Sequence, residues 1–430
     1  MKRLFSFMML LALVSAGVLS GCGNTTVPVV FTGSVIGIVV KDKNKEPVEG
    51  AKVSIGNRDF ITKADGMFKF DGVSFDNNFE ITVEYNGQIK PIKAMITEEA
   101  KKIKMINIGM VYLETSGTIY ICGRIDGNIG YTVIKNEKDI KKCTLSNQDG
   151  EANSIFVSNN IVYTAGSENN LPCYWKNSIK TDLMPDYYKE KKYTGNASSV
   201  YVKNDNVYIA STLAAKPDSQ MLYETPFYFI NDKEHYKEIT IQGLRTGTAD
   251  SIYVNDSNDV YITTNIENNN FESYGYCFKN NEVKFKYSAG IQSTHSSNDT
   301  IYVLGLNDSS KPIYYKNDSL NFLSITNGFC NSIYAYKNNL YVAGNKKDSP
   351  NTLDTYPCYW IVSNTEVKCK QLSMGKGEAK KIFVKDDTIY IIGYYNKNGE
   401  SINCCWIIRD DSTNCIELNN MSINNIYVTE

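Results

Sequence analysis

From residue 115 to the end, apolar and polar positions recur as one unit. Its most regular feature is an apolar residue followed by tyrosine, with a small residue three places later. The tyrosines are Tyr120, Tyr163, Tyr208, Tyr261, Tyr302, Tyr341 and Tyr390, spaced 39 to 53 residues apart. The small residues are Gly123, Gly166, Ser211, Thr264, Gly305, Gly344 and Gly393. A second short apolar run comes after each, such as Pro172–Asn177. Its fourth position is Ile134, Trp175, Phe229, Phe278, Tyr315, Trp360 or Trp406. A third run ends in residues such as Leu145, Leu183 or Leu372. The fourth run reads Ser-apolar-aromatic-apolar, as in Ser154-Ile155-Phe156-Val157. Its aromatic position holds Phe156, Tyr201, Tyr253, Tyr334, Phe383 and Tyr427. In one repeat, Ser293–Ser296, His295 takes that place. Four short alternating strands per period of this length predict propeller blades. The region opens on the tyrosine strand at Ile119 and closes on a fourth-type strand at Ile426. The chain end is therefore expected to complete the first of seven blades, leaving no open sheet edge.

Residues 32–114 alternate differently. Gly33–Asp42, Pro47–Ile55 and Thr62–Phe70 read as short strands punctuated by Pro47, Gly50 and Asp65-Gly66. Asp65-Gly66 predicts a hairpin turn, because glycine accepts the positive φ such turns need. No convincing amphipathic helix follows the first 21 residues, and the nearest candidate, Thr97–Lys104, is one or two turns at most. The ordered set Gly-Ala-x-Val, then Thr-x-x-Asp-Gly-x-Phe, resembles the carboxypeptidase regulatory-like family. That resemblance implies a small transthyretin-type β-sandwich acting as a non-catalytic spacer. The later repeats resemble the Tyr-Val-Ala-Gly, Tyr-Trp-Lys-Asn units of bacterial secreted propeller proteins. The fold class expected is thus all-β, a small β-sandwich (32–114) followed by a seven-bladed β-propeller (115–430) closed by its C-terminal strand.

The first 21 residues read as an export signal. Lys2 and Arg3 precede an uncharged apolar run, Leu4–Val18, too short to be a stop-transfer helix. Leu19-Ser20-Gly21-Cys22 resembles the bacterial lipobox at all four positions. The resemblance implies cleavage before Cys22 and acylation of its thiol. Residues 22–31 would then form a tether. Its nine residues after Cys22 reach about 30 Å at full stretch. The expected location is extracytoplasmic, lipid-anchored at the cell membrane or outer membrane, the latter in a Gram-negative host because Gly23 is not an aspartate retention signal.

Charge narrows the partners. The formal charge is −2 and no strongly basic run occurs, so nucleic acid is not an expected partner. Only His235 and His295 are present, in dissimilar contexts, which removes most zinc sites and histidine-based triads. No calcium loop or sialidase-type box is found, and Asp386-Asp387 and Asp410-Asp411 fall in expected turns. No metal or cofactor is implied, and a monomer is expected. Ten cysteines remain after Cys22. Several share repeat positions with Ala or Ile, which favours buried free thiols. The best disulfide candidates are Cys358 with Cys369, and Cys404 or Cys405 with Cys415. The functional expectation is a non-enzymatic binding or scaffolding lipoprotein for an extracellular glycan or protein. The alternative is a propeller glycoside hydrolase or lyase acting on extracellular polysaccharide. Three long connections come after the small-residue position: Ser211–Thr225, Thr263–Ser273 and Asn345–Tyr356. With them Tyr223, Phe271, Tyr274 and His295 become the candidate ligand-binding residues.

Overall fold

The computed structural model describes residues 32–429, apart from 42–45, 75–78, 86–87, 95, 114–116, 216–222, 242–243, 269, 271, 289, 298–299, 308–310, 326, 350–351, 364–365 and 410–411. The export signal, Cys22, the tether, Phe271 and Asp410-Asp411 lie outside the described residues. The chain divides into two units, 1–114 and 115–430.

Among its described residues the first unit has seven strands and one short helix: β1 (Thr32–Lys41), β2 (Lys52–Ile55), β3 (Arg58–Ile61), β4 (Met67–Ser74), β5 (Phe79–Tyr85), β6 (Gln88–Ala94), α1 (Glu98–Ile103) and β7 (Met105–Leu113). They form two sheets, β4-β1-β7 and β3-β2-β5-β6. Alternation decides which side chains are inside. Val53 and Ile55, Phe68 and Phe70, and Ile81 and Val83 are buried, and both sheets contribute to a single core. Thr97 caps α1 by accepting from the Ala100 N–H at 3.1 Å. Asp65-Gly66 is a turn, with Gly66 at φ +67, but it is not a hairpin. The strand before it, β3, pairs with β2, whereas the strand after it, β4, pairs with β1 in the other sheet. The glycine is still required, since a Cβ there would sit 2.4 Å from the Val39 carbonyl oxygen.

The second unit contains seven four-stranded antiparallel sheets among the described residues. Sheets 2 to 7 are continuous in sequence: 150–182, 194–238, 244–287, 291–322, 328–371 and 377–417. Sheet 1 combines 119–146 with the last strand, Asn425–Val428, which pairs with Ile119–Ile125. The first strands of sheets 2 to 7 and Asn425–Val428 touch one another in cyclic order, so the sheets close a ring around these inner strands. The aromatic column of the third strands is core: Trp175, Phe229, Phe278, Tyr315, Trp360 and Trp406 are all buried between sheets, with Ile134 in the seventh place.

Two local rules explain the repeat. The inner strands of sheets 2 to 7 each carry a register shift just before the serine position, as between Ala152 and Ser154. Such a bulge pushes a carbonyl toward the second strand. A Cβ at Gly166 would lie 1.9 Å from the Glu151 oxygen, and at Gly344 1.9 Å from that of Phe329. That is why the repeat ends in glycine. Ser211, in the same column, instead donates to the Asn196 carbonyl at 2.9 Å. The abundant asparagines serve tight turns. Asn159 and Asn160, Asn169 and Asn170, and Asn280 and Asn281 all adopt positive φ, as does the pair Asp386-Asp387.

Each of the three long connections begins and ends as strand. The second and third strands of sheets 3, 4 and 6 stay paired outward to Ala215↔Tyr223, Glu267↔Ser273 and Lys347↔Thr355. They form hairpin arms whose backbone groups remain satisfied by the ladder. Sheet 7 has a fourth arm, Tyr394–Lys397 against Glu400–Asn403, turning at Asn398-Gly399.

Candidate functional site

The inner strands line a central channel with a cavity of about 470 Å³. Their common register arranges its wall in three tiers. The first is the bulge tier, at the end of the sheets where the hairpin arms emerge. Asn153, Asn331 and Asn424 each donate there from Nδ2 to a carbonyl of the next sheet, at 3.0, 3.0 and 2.9 Å. Ser198 makes the same link to the Ala249 carbonyl.

One step along is the serine tier. Ser154 Oγ accepts the Val200 N–H at 3.2 Å. Ser199, Ser293 and Ser332 accept those of Ile252, Ile333 and Ile382, each at 3.3 Å. Two residues further on is an aromatic tier. Tyr253, Tyr201, Phe156, Tyr427, Phe383, Tyr334 and His295 succeed one another with ring centroids 3.9–5.4 Å apart.

Three ionisable side chains that interrupt these tiers, Asp250, Lys381 and His295, line the cavity. Asp250 occupies a bulge position, where a carboxylate cannot make the donor link its counterparts make. Its Oδ2 accepts from Asn265 Nδ2 at 2.9 Å and its Oδ1 from Thr248 Oγ1 at 3.4 Å. Burial pushes its carboxyl up to about 7, against a smaller opposing effect of Thr248 and Lys381. Lys381 takes the serine position in sheet 7, and burial pushes its ammonium down, opposed by Asp250. His295 stacks on Tyr334 at 3.9 Å, and burial pushes it down to about 4, so it is neutral at physiological pH. Sheet 5, which carries it, keeps four strands and the common register.

The junction between sheets 4 and 5 departs from its neighbours. Ser251 Oγ lies 2.8 Å from Thr263 Oγ1, which lies 3.1 Å from Thr294 Oγ1. Asn265 bridges the same junction, accepting the Ile291 N–H at 2.6 Å and donating to the Ile291 carbonyl at 2.8 Å. A side cavity of about 150 Å³ opens there beside Tyr253 and His295.

The expected site residues are not all in one place. His295 lines the channel. Tyr223 begins the third strand of sheet 3 and is 43% exposed on its arm. Tyr274 lies on the arm of sheet 4, where the Lys286 ammonium sits 3.8 Å from its ring centroid and its hydroxyl donates to Glu272 at 3.1 Å. Neither tyrosine lines the cavity that contains His295. Asp250 and Lys381 were not candidates from the sequence. The signal they carry is a break in the repeat, an acid in a donor column and a base in a serine column.

A broader groove of about 860 Å³ lies between the arm of sheet 7, at Glu400–Asn403, and the turn of sheet 1 at Arg124–Gly127, with Leu418–Ser422 as its floor. Its Arg124 and Asp126 are already engaged, by Asp149 at 3.1 Å and Lys142 at 2.9 Å. The ten described cysteines are free thiols. Cys358 and Cys369 are hydrogen-bonded to each other, as are Cys404 and Cys415, while Cys405 packs into the core between sheets 7 and 1.

No family model matches the chain, and no curated protein matches it. Similar solved structures include Trypanosoma rangeli sialidase in complex with sialic acid, at 10% identity and TM-score 0.42, covering 69% of this chain and 59% of that one. Citrobacter koseri AztD is similar at 11% identity and TM-score 0.39, covering 73% and 98%. Hadza microbial sialidase Hz136 is similar at 8% identity and TM-score 0.38, covering 91% of each. The chain thus spans about 59% of the length of the first of these. At these identities and TM-scores the likeness carries no functional argument.

Proposed function

We propose that the protein is a lipid-anchored, extracytoplasmic binding module whose ligand enters the central channel from the face carrying the hairpin arms. In this reading Cys22 is the acylated residue, and residues 32–114 are a β-sandwich spacer of carboxypeptidase regulatory-like type. Residues 115–430 are a seven-bladed β-propeller. The observation that carries the reading is the cavity of about 470 Å³. All seven inner strands present side chains to it, and the three ionisable groups that break the repeat fall there together. That volume is within the range of small-molecule sites, about 300–1,000 Å³. Tyr223 and Tyr274 then belong to the rim. A polysaccharide-cleaving enzyme is the weaker reading, because Asp250 is the one carboxyl group among the described cavity-lining residues. Glycoside hydrolysis generally needs two.

Two experiments test the proposal. Cys22→Ser should abolish fatty-acid labelling, and labelling that persists removes the anchor. A chain that begins at Gly23, without the apolar run and the acylated cysteine, should capture a glycan or protein ligand from arrays and extracts. Capture should weaken when the arms of sheets 3 and 4 are shortened. Capture unaffected by shortened arms and by substitutions in the channel would place the ligand elsewhere.

A further inference from the structure

The serine tier of the channel is a belt of hydrogen-bond donors. Ser154, Ser199, Ser293 and Ser332 each use oxygen to accept a backbone N–H, which leaves each hydroxyl proton to be donated. Lys381 stands in the same tier and adds an ammonium with three donors and no acceptor. Among the described residues nothing accepts a hydrogen bond from its Nζ, and Asp250, the only carboxyl in the cavity, lies in the tier above with its oxygens held by Asn265 and Thr248. Such a belt is the wrong chemistry for a metal ion, which needs convergent oxygen acceptors. It suits a group that brings several acceptor oxygens and a negative charge.

We propose that the channel binds the oxyanion of a small organic molecule, a carboxylate or a phosphate, with Lys381 as its charge partner and the serine hydroxyls as further donors. The cavity of about 470 Å³ exceeds what a bare ion needs, given the roughly 30 Å³ share of one water. The rest of the molecule lies along the channel, with Phe156, Tyr201, Tyr334 and Tyr427 presenting rings to it. Burial already disfavours the charge on Lys381 in the unliganded channel, and an arriving anion restores it. Asp250 acts against the anion only when ionised, and its raised pKa keeps much of it neutral near pH 7. The other titratable groups lining the cavity are His295 and the tyrosines Tyr201, Tyr253, Tyr334 and Tyr427, and His295 is neutral there. This inference depends on the channel being the ligand site.

The test is titration calorimetry on the chain from Gly23 to Glu430 at pH 6.5 and low salt, with acetate, inorganic phosphate and sulfate as separate probes. Saturable one-site binding of at least one probe is expected. Preference for acetate would identify a carboxylate ligand and preference for phosphate a phosphoryl ligand. Lys381→Met should weaken binding about tenfold or more, the loss expected for a charge-assisted hydrogen bond. Ser199→Ala with Ser332→Ala should weaken it several-fold, and Lys381→Arg should retain it. If Lys381→Met does not fold, protection of Lys381 from reductive methylation by the bound probe gives the same readout in the unsubstituted protein. The inference is overturned if no probe binds with Kd below about 10 mM, if Lys381→Met binds as well as the parent, or if the probes leave Lys381 methylation unchanged. Partner capture on the arm face is a separate measurement. Its persistence alongside failed oxyanion binding would remove this inference and leave the proposed function standing.

Discussion

Truncation after Leu418 asks whether the chain end holds the ring together. It removes Asn425–Val428, the inner strand of sheet 1, and the segment leading to it. Four apolar side chains leave the core, since Met421, Ile423, Ile426 and Val428 are all at most 4% exposed. At about 1.5–3 kcal/mol for each buried side chain, the lost burial comes to about 6–12 kcal/mol. Backbone bonds go too: Ser422 N–H to Arg124 O at 2.8 Å, Asn424 N–H to Cys122 O at 2.9 Å and Thr429 N–H to Thr118 O at 3.0 Å. So does the Asn424 side-chain link to Ala152 in sheet 2. The loss is comparable to the whole stability of a typical domain, about 5–15 kcal/mol. It also exposes the inner edge of Ile119–Ile125, a template for aggregation. Purified full-length and truncated proteins should be compared by thermal unfolding and size-exclusion chromatography. The truncated chain should lose its cooperative transition and self-associate, whereas removal of Glu430 alone should do neither. A monomeric truncated protein with an unchanged melting temperature would refute the closure.

Gly393→Ala places a Cβ 2.1 Å from the Glu378 carbonyl oxygen and should destabilise by about 1–3 kcal/mol in urea titration; an unchanged midpoint would remove the steric account of the glycine column. The channel groups have opposite pH signatures. His295 titrates near 4 when folded and near 6.5 when unfolded, so the unfolded chain takes up the proton first and stability falls as pH drops through that window, by at most roughly 3 kcal/mol. His295→Phe should therefore raise the melting temperature more at pH 5 than at pH 8. Asp250 holds its proton to about pH 7 when folded but only to about 4 unfolded, so its ionisation costs stability as pH rises across that range. Asp250→Asn should stabilise more at pH 8 than at pH 5, and equal shifts at both values would contradict the assignment. With iodoacetamide at neutral pH, Cys369 and Cys415 should label in the native protein. Both are exposed, and the hydrogen bonds from Cys358 and Cys404 hold their thiols below the usual value. Cys122, Cys277 and Cys405, buried and pushed up, should label only after denaturation.

Much of the fold is legible in the chain because strand alternation, turn chemistry and a repeated unit are properties of near neighbours in sequence. The tyrosine and glycine columns, the buried aromatic column at Trp175 and Trp406, and the Asn-rich turns all belong to that class. The pairing of Asn425–Val428 with Ile119–Ile125 could be read from strand order alone. The hairpin arms could not, because buried positions on them, such as Leu213, Ala214 and Ile266, are interspersed with partly exposed residues such as Thr212, Thr225 and Glu267 in no regular period. Alternation therefore disappears while the backbone ladder continues. The separation of β3 and β4 into different sheets was equally hidden, since a turn with Gly66 at positive φ looks the same whether or not it closes a hairpin. His295 stood out as one polar residue in an aromatic column. Asp250 and Lys381 did not, being single departures in columns already polar. They are 131 residues apart, and only closure of the ring brings them to the same cavity. The local pattern determined what each strand is. Convergence of seven inner strands on one axis decided which side chains share a low-dielectric space, and so placed Asp250, Lys381 and His295 around one cavity.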